Sequence, residues 1–162
     1  MLYKREGGIL SLSGPALLDI LRAMLDKRVP IRFTAPGFSM SPFVKDRDVI
    51  TVLYIAEKAI RFGDVVAFIN LCNERLIVHR VVGNRKDASL IKGDNNPETD
   101  GWIPHERILG RVTRIERAGQ HIRLGLGIER IVIAFLSQRG WLLPVLTTPR
   151  WIYHRIIKRF IA

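Results

Sequence analysis

Arg75-Leu76-Ile77-Val78-His79-Arg80-Val81-Val82-Gly83 is the stretch from which the fold is read. β-branched residues dominate it, and a glycine closes it, as a strand requires. A period of two places Ile77, His79 and Val81 on one face and Val78, Arg80 and Val82 on the other. A histidine and an arginine thus point to opposite sides of an apolar strand, which is costly unless each has a partner. The same β-rich pattern recurs on both sides, at residues 31–35, 48–54, 64–70, 89–92, 108–117 and 121–124. Ala118-Gly119-Gln120 reads as the hairpin turn between the last two. Connections are short and carry Gly, Asn, Asp or Pro. Residues 31–124 are therefore expected to form one compact, mainly antiparallel β domain.

The flanks differ in period. In residues 1–30 a lead-in precedes an amphipathic helix over 16–28, with Leu17, Leu18, Leu21, Met24 and Leu25 at spacings of three and four. Ser13-Gly14-Pro15 starts it and Pro30 ends it. Residues 125–162 read as a basic helical tail, with helices over 128–136 and 150–160 separated by Gly140, Pro144 and Pro149.

The chain has 162 residues, 48% hydrophobic and 25% charged, enough to bury a core without metals or disulfides. Its single cysteine, Cys72, excludes an internal disulfide framework and every Cys-rich zinc ribbon. The net charge of +11 predicts a polyanionic partner, and residues 120–162 carry +6 of it. No helix-turn-helix, zinc finger or interleaved aromatic strand motif is present, which disfavours nucleic acid. The last segment interleaves Trp151, Tyr153 and Phe160 with Arg150, Arg155, Lys158 and Arg159. A basic amphipathic helix with aromatics reads as membrane-surface; the plainer reading is a helix docked on the β domain with solvated charges. A transmembrane helix needs about 20 mostly apolar residues. The best candidate, 131–153, is broken by Arg139, Gly140, Pro144, Pro149 and Arg150. Peripheral membrane association is expected, without a cleavable secretory signal.

Ser39 lies in Pro36-Gly37-Phe38-Ser39-Met40-Ser41-Pro42, a constrained turn suited to presenting one side chain. A serine needs a base to become a nucleophile. Lys92-Gly93-Asp94-Asn95-Asn96-Pro97-Glu98-Thr99-Asp100-Gly101 reads as a turn-rich loop with three carboxylates. Its spacing does not fit an EF-hand calcium loop, and no metal site is expected.

Taken in order, these segments resemble the type I signal peptidases, in the branch of archaea, spore-forming bacteria and the endoplasmic reticulum that uses histidine as base. The resemblance is carried by Gly37-Phe38-Ser39-Met40-Ser41-Pro42, Gly63-Asp64-Val65-Val66-Ala67-Phe68, Val78-His79-Arg80-Val81-Val82, Lys92-Gly93-Asp94-Asn95-Asn96 with Asp100, and Leu109-Gly110-Arg111-Val112. It covers about residues 35–115. It implies a β fold of the signal-peptidase and self-cleaving-repressor type, with Ser39 as nucleophile, His79 as general base then acid, and Asp100 as the orienting acid. Asp94 would support the loop or pair with Arg80. No cofactor is implied. The substrate would be a polypeptide, possibly membrane-held, cut after a small residue in an extended segment paired with a strand edge near the serine.

Two departures follow. Gly37 stands where many bacterial members carry a serine whose hydroxyl helps to bind the oxyanion, so backbone N–H groups in the Gly37 region and at Ser39 would serve. The helix over 16–28 is too short to replace the family's membrane anchor, and the basic tail would hold the protein at an anionic surface instead. The other function class is a non-catalytic module that keeps this fold as a scaffold, attached to a membrane or nucleic acid by its tail.

Overall fold

Residues 31–34 alternate inward and outward and pair with the β-branched run that follows the serine turn. These are β1 (Ile31–Thr34) and β2 (Val49–Leu53). Six more strands complete the sheet: β3 (Val65–Ile69), β4 (Leu76–Asn84), β5 (Ala88–Lys92), β6 (Thr99–Pro104), β7 (Ile108–Arg117) and β8 (Gln120–Ile122). All pairings are antiparallel, in the order β1-β2-β7-β3-β4-β5-β6, with β8 on β7. Two helices follow, α1 (Arg130–Gln138) and α2 (Leu142–Thr147). The computed structural model describes residue 23 and residues 27–70 and 75–147. The expected helix over 16–28 lies outside them except at residues 23, 27 and 28, and the expected helix over 150–160 lies outside them entirely.

β3 is buried at all five positions, and its alternation divides the core. Val65, Ala67 and Ile69 join Phe33, Ile50, Val52 and Val112 on one side. Val66 and Phe68 join Val81, Ile91 and Ile103 on the other. The β1–β2 end of the sheet therefore closes over one face of β3 and the β5–β6 end over the opposite face. Each fully buried Val, Ile or Phe contributes about 1.5–3 kcal/mol. No helix among the described residues is long and apolar enough to cross a membrane.

The sequence reading misses β6. Thr99–Pro104 has the Asp, Gly and Pro content of a loop, yet it pairs with β5 from Ala88↔Pro104 to Lys92↔Thr99. The register shifts between Ile91 and Lys92, opposite Gly101, whose φ of +88° a side chain would strain. Pairing with a neighbour overrides weak strand propensity here. Pro144 likewise does not separate helices. It sits in the first turn of α2, where no intrahelical N–H bond is lost.

Asp48, buried at the start of β2, accepts hydrogen bonds from Arg117 Nε (2.9 Å), Arg117 Nη2 (2.7 Å) and the Lys45 N–H (2.8 Å). Burial alone pushes this carboxyl up, but the bonds and charges of Arg117 and Lys45 outweigh it and hold it below the usual carboxylate range. A group whose folded value is depressed contributes stability above its unfolded value and loses it as pH falls through the folded one. Asp48→Asn is therefore expected to cost about 2 kcal/mol in denaturant unfolding at pH 7. The gap from the parent should close below about pH 4, where unfolded carboxyls protonate. A gap independent of pH would contradict the ionised-pair account.

Candidate active site

The site is assembled from three places far apart in the sequence. Ser39 lies on the turn between β1 and β2, which is wound by hydrogen bonds from the Ser41 N–H to Phe38 O (3.0 Å) and from the Phe43 and Val44 N–H groups to Met40 O (both 3.1 Å). His79 lies in β4 and Asp100 in β6. His79 Nε2 stands 2.8 Å from Ser39 Oγ, and His79 Nδ1 stands 2.6 Å from Asp100 Oδ2. A carboxylate only accepts, so Nδ1 carries the proton and donates it to Asp100. That assignment leaves Nε2 to accept from the serine hydroxyl. The imidazole is buried and tilted against Phe68, with ring centroids 6.2 Å apart, which fixes its plane. A serine hydroxyl on a histidine oriented by a carboxylate is the arrangement of an activated nucleophile.

The loop after β5 holds the serine turn from below. The Asn95 N–H donates to Ser39 O (2.7 Å), and Asn95 Nδ2 donates to Phe38 O (3.2 Å). Gly93 lies so close that a Cβ there would come 2.8 Å from Ser39 O, inside normal contact. Asp46 fixes the other side by accepting from the Gly37 N–H at 2.8 Å. The Gly37 N–H is thus occupied, whereas the Ser39 N–H donates no hydrogen bond among the described residues.

Arg80, on the opposite face of β4 from His79, is fully buried and fully engaged. Its Nε and Nη2 bind the two oxygens of Asp94 at 2.8 and 2.7 Å, and its Nη1 donates to Gly63 O and Gly125 O, both at 2.9 Å. Its guanidinium also lies 5.5 Å from the ring centre of Phe43, at the end of the serine turn. One strand thus carries the histidine on one side and, on the other, the cation that ties the acidic loop to the serine turn. Both oxygens of Asp94 are taken by Arg80, so the loop offers no calcium cage. Among the described residues no three His, Cys, Asp or Glu side chains group as metal ligands.

A cavity of about 280 Å³ opens beside Ser39 and His79, walled mostly by Phe33, Ala35, Val44, Leu76 and Val78. β4 pairs with β5 only from Arg80 onward, so from Leu76 to His79 its outer edge carries no strand among the described residues. A second serine–histidine contact, Ser89 Oγ to His105 Nε2 at 3.1 Å, lies in the interior, and among the described residues no carboxylate is hydrogen-bonded to that imidazole. Sequence reasoning gave Asp46 and Asn95 no role. Both act on main-chain groups through tertiary contacts, for which the sequence has no periodic signal. Neither family models, nor curated proteins, nor solved structures gave a match to this chain.

Proposed function

We propose that this chain is a serine endopeptidase of the signal-peptidase type, with a fold of that type. The observation that carries the reading is the unbroken line Ser39 Oγ–His79–Asp100, at 2.8 and 2.6 Å, beside an apolar cavity and an open strand edge. An extended polypeptide would add itself to β4 at Leu76–Val78 by main-chain pairing, and a small side chain before the scissile bond would enter the cavity. Ser39 Oγ attacks the carbonyl carbon while His79 Nε2 takes the hydroxyl proton. Of the two donors expected at the oxyanion, the Ser39 N–H would meet the developing charge, because Asp46 holds the Gly37 N–H. His79 then gives its proton to the leaving amine, and the C–N bond breaks. Water, deprotonated by the same histidine, releases the acyl group from Ser39. Asp100 stays ionised throughout and stabilises the imidazolium. Neither a metal nor an organic cofactor enters these steps.

The test is hydrolysis of extended peptides that differ only in the residue before the scissile bond, read by mass spectrometry. Cleavage should favour Ala, Gly or Ser there. Asp100→Asn should lower kcat by about 10²–10⁴ with little change in KM, because the orienting carboxylate acts after binding. An undiminished kcat in Asp100→Asn would overturn the assignment of the orienting acid.

A further inference from the structure

We propose that the outward face of α1 is a docking surface for an anionic lipid bilayer, a property independent of the peptidase reading. A helix packed on a domain shows water a polar face. α1 does not. Its inward side, Ile133, Ala134 and Ser137, is buried, and Ile133 packs with Leu142 on Phe43. Its exposed positions are Ile131, Val132, Phe135 and, at its last residue, Gln138, and Ile128 continues the apolar three at helical spacing just before the first turn. Trp141, after the helix, and Val145, in α2, are exposed apolar side chains as well. These six side chains are 44–86% exposed, and Ile128, Ile131, Val132 and Phe135 follow helical spacing, an exposed apolar face of the kind that marks an interaction surface.

The charge around the patch selects the occupant. Arg123 and Arg139 are exposed, five residues before Ile128 and directly after the helix, and the Arg139 guanidinium lies over the Phe135 ring at 5.0 Å. The sole acid in residues 120–162 is Glu129. Its Oε1 accepts from the Gly125 N–H (2.8 Å) and the Gly127 N–H (2.9 Å). Its own main-chain N–H, with those of Gly125 and Gly127, holds this carboxyl below the usual range although burial opposes them. Within residues 120–162 no free carboxylate is therefore left to receive a basic partner. Residues 148–162 add Arg150, Arg155, Lys158 and Arg159 and no acid, so the chain beyond α2 carries charge of the same sign. Both stretches complement anionic headgroups, and the apolar stripe suits the acyl boundary beneath them. Ile133, on the inward side of the same helix, packs on Phe43 at the end of the turn that carries Ser39, which would bring that turn close to the bilayer.

The test is sedimentation of the full chain with vesicles of phosphatidylcholine alone and of phosphatidylcholine mixed with phosphatidylglycerol. Binding is expected to the mixed vesicles and to weaken with salt. Val132→Glu with Phe135→Glu should reduce it about tenfold or more, with an unchanged thermal midpoint. Arg123→Glu with Arg139→Glu should remove the preference for the mixed vesicles. Ser39→Ala should bind as the parent does, so failure here is distinct from failure of the peptidase reading. Three results would overturn the proposal: a parent that stays in the supernatant, a Val132→Glu/Phe135→Glu variant that binds like the parent, or a midpoint that falls with those substitutions. The last would mean that residues 148–162 cover the stripe.

Discussion

Ser39→Ala and His79→Ala are each expected to reduce peptide hydrolysis by about 10⁴- to 10⁶-fold, and the double variant should be no worse than either. In the proposed mechanism the two side chains do one job. The hydroxyl is a weak nucleophile until Nε2, 2.8 Å away, takes its proton, and the imidazole has nothing to accept when the hydroxyl is gone. The fold should survive, because the turn is held through main-chain groups. Asn95 and the Phe38, Met40 and Ser39 carbonyls make those bonds whatever side chain stands at residue 39. Circular dichroism and the unfolding midpoint of Ser39→Ala should match the parent. Multiplicative losses in the double variant would mean that the residues act separately.

The largest effect on stability is expected at Asp94. Asp94→Ala leaves the Arg80 guanidinium fully buried with its two strongest acceptors removed, and Gly63 O and Gly125 O cannot neutralise it. Losing one member of such a pair costs about 3–5 kcal/mol. Domains of this size are stable by about 5–15 kcal/mol. The variant should therefore unfold at much lower denaturant, with a thermal midpoint lower by about 6–20 °C on the scale of roughly 2–4 °C per kcal/mol. Replacing both partners by leucine should recover much of the loss, since no charge is then stranded. A cost below about 1 kcal/mol for Asp94→Ala would show that the pair is solvated, contrary to its complete burial.

How far these features can be read from the sequence depends on whether their cause is local. β4 is legible because Ile77, Val78, Val81 and Val82 fix the period and so place His79 and Arg80 on opposite faces. The serine turn is legible from Gly37 and Pro42. β6 is not, because Asp100, Gly101 and Pro104 form a strand only against β5. The partner of His79 was for the same reason open on spacing alone, where Asp94 and Asp100 share one loop, and the choice of Asp100 came from resemblance. The fold separates the two carboxylates by face: Asp94 meets Arg80 on one side of β4, and Asp100 meets His79 on the other. The basic character of the tail is plain in the sequence. That its first helix leaves Ile131, Val132 and Phe135 uncovered depends on which side packs against Phe43, and only the tertiary structure decides that.

The central claim is that Ser39 Oγ forms a covalent acyl intermediate. Its most direct test is rapid acid quenching of the protein during turnover of an activated peptide ester, followed by peptide mapping. With such esters acylation outruns deacylation, so the adduct accumulates. The account predicts one acyl group on the peptide containing Ser39, none in Ser39→Ala, and a much slower rise in His79→Ala. Turnover with the acyl group on another residue, or an undiminished rate in Ser39→Ala, would contradict it.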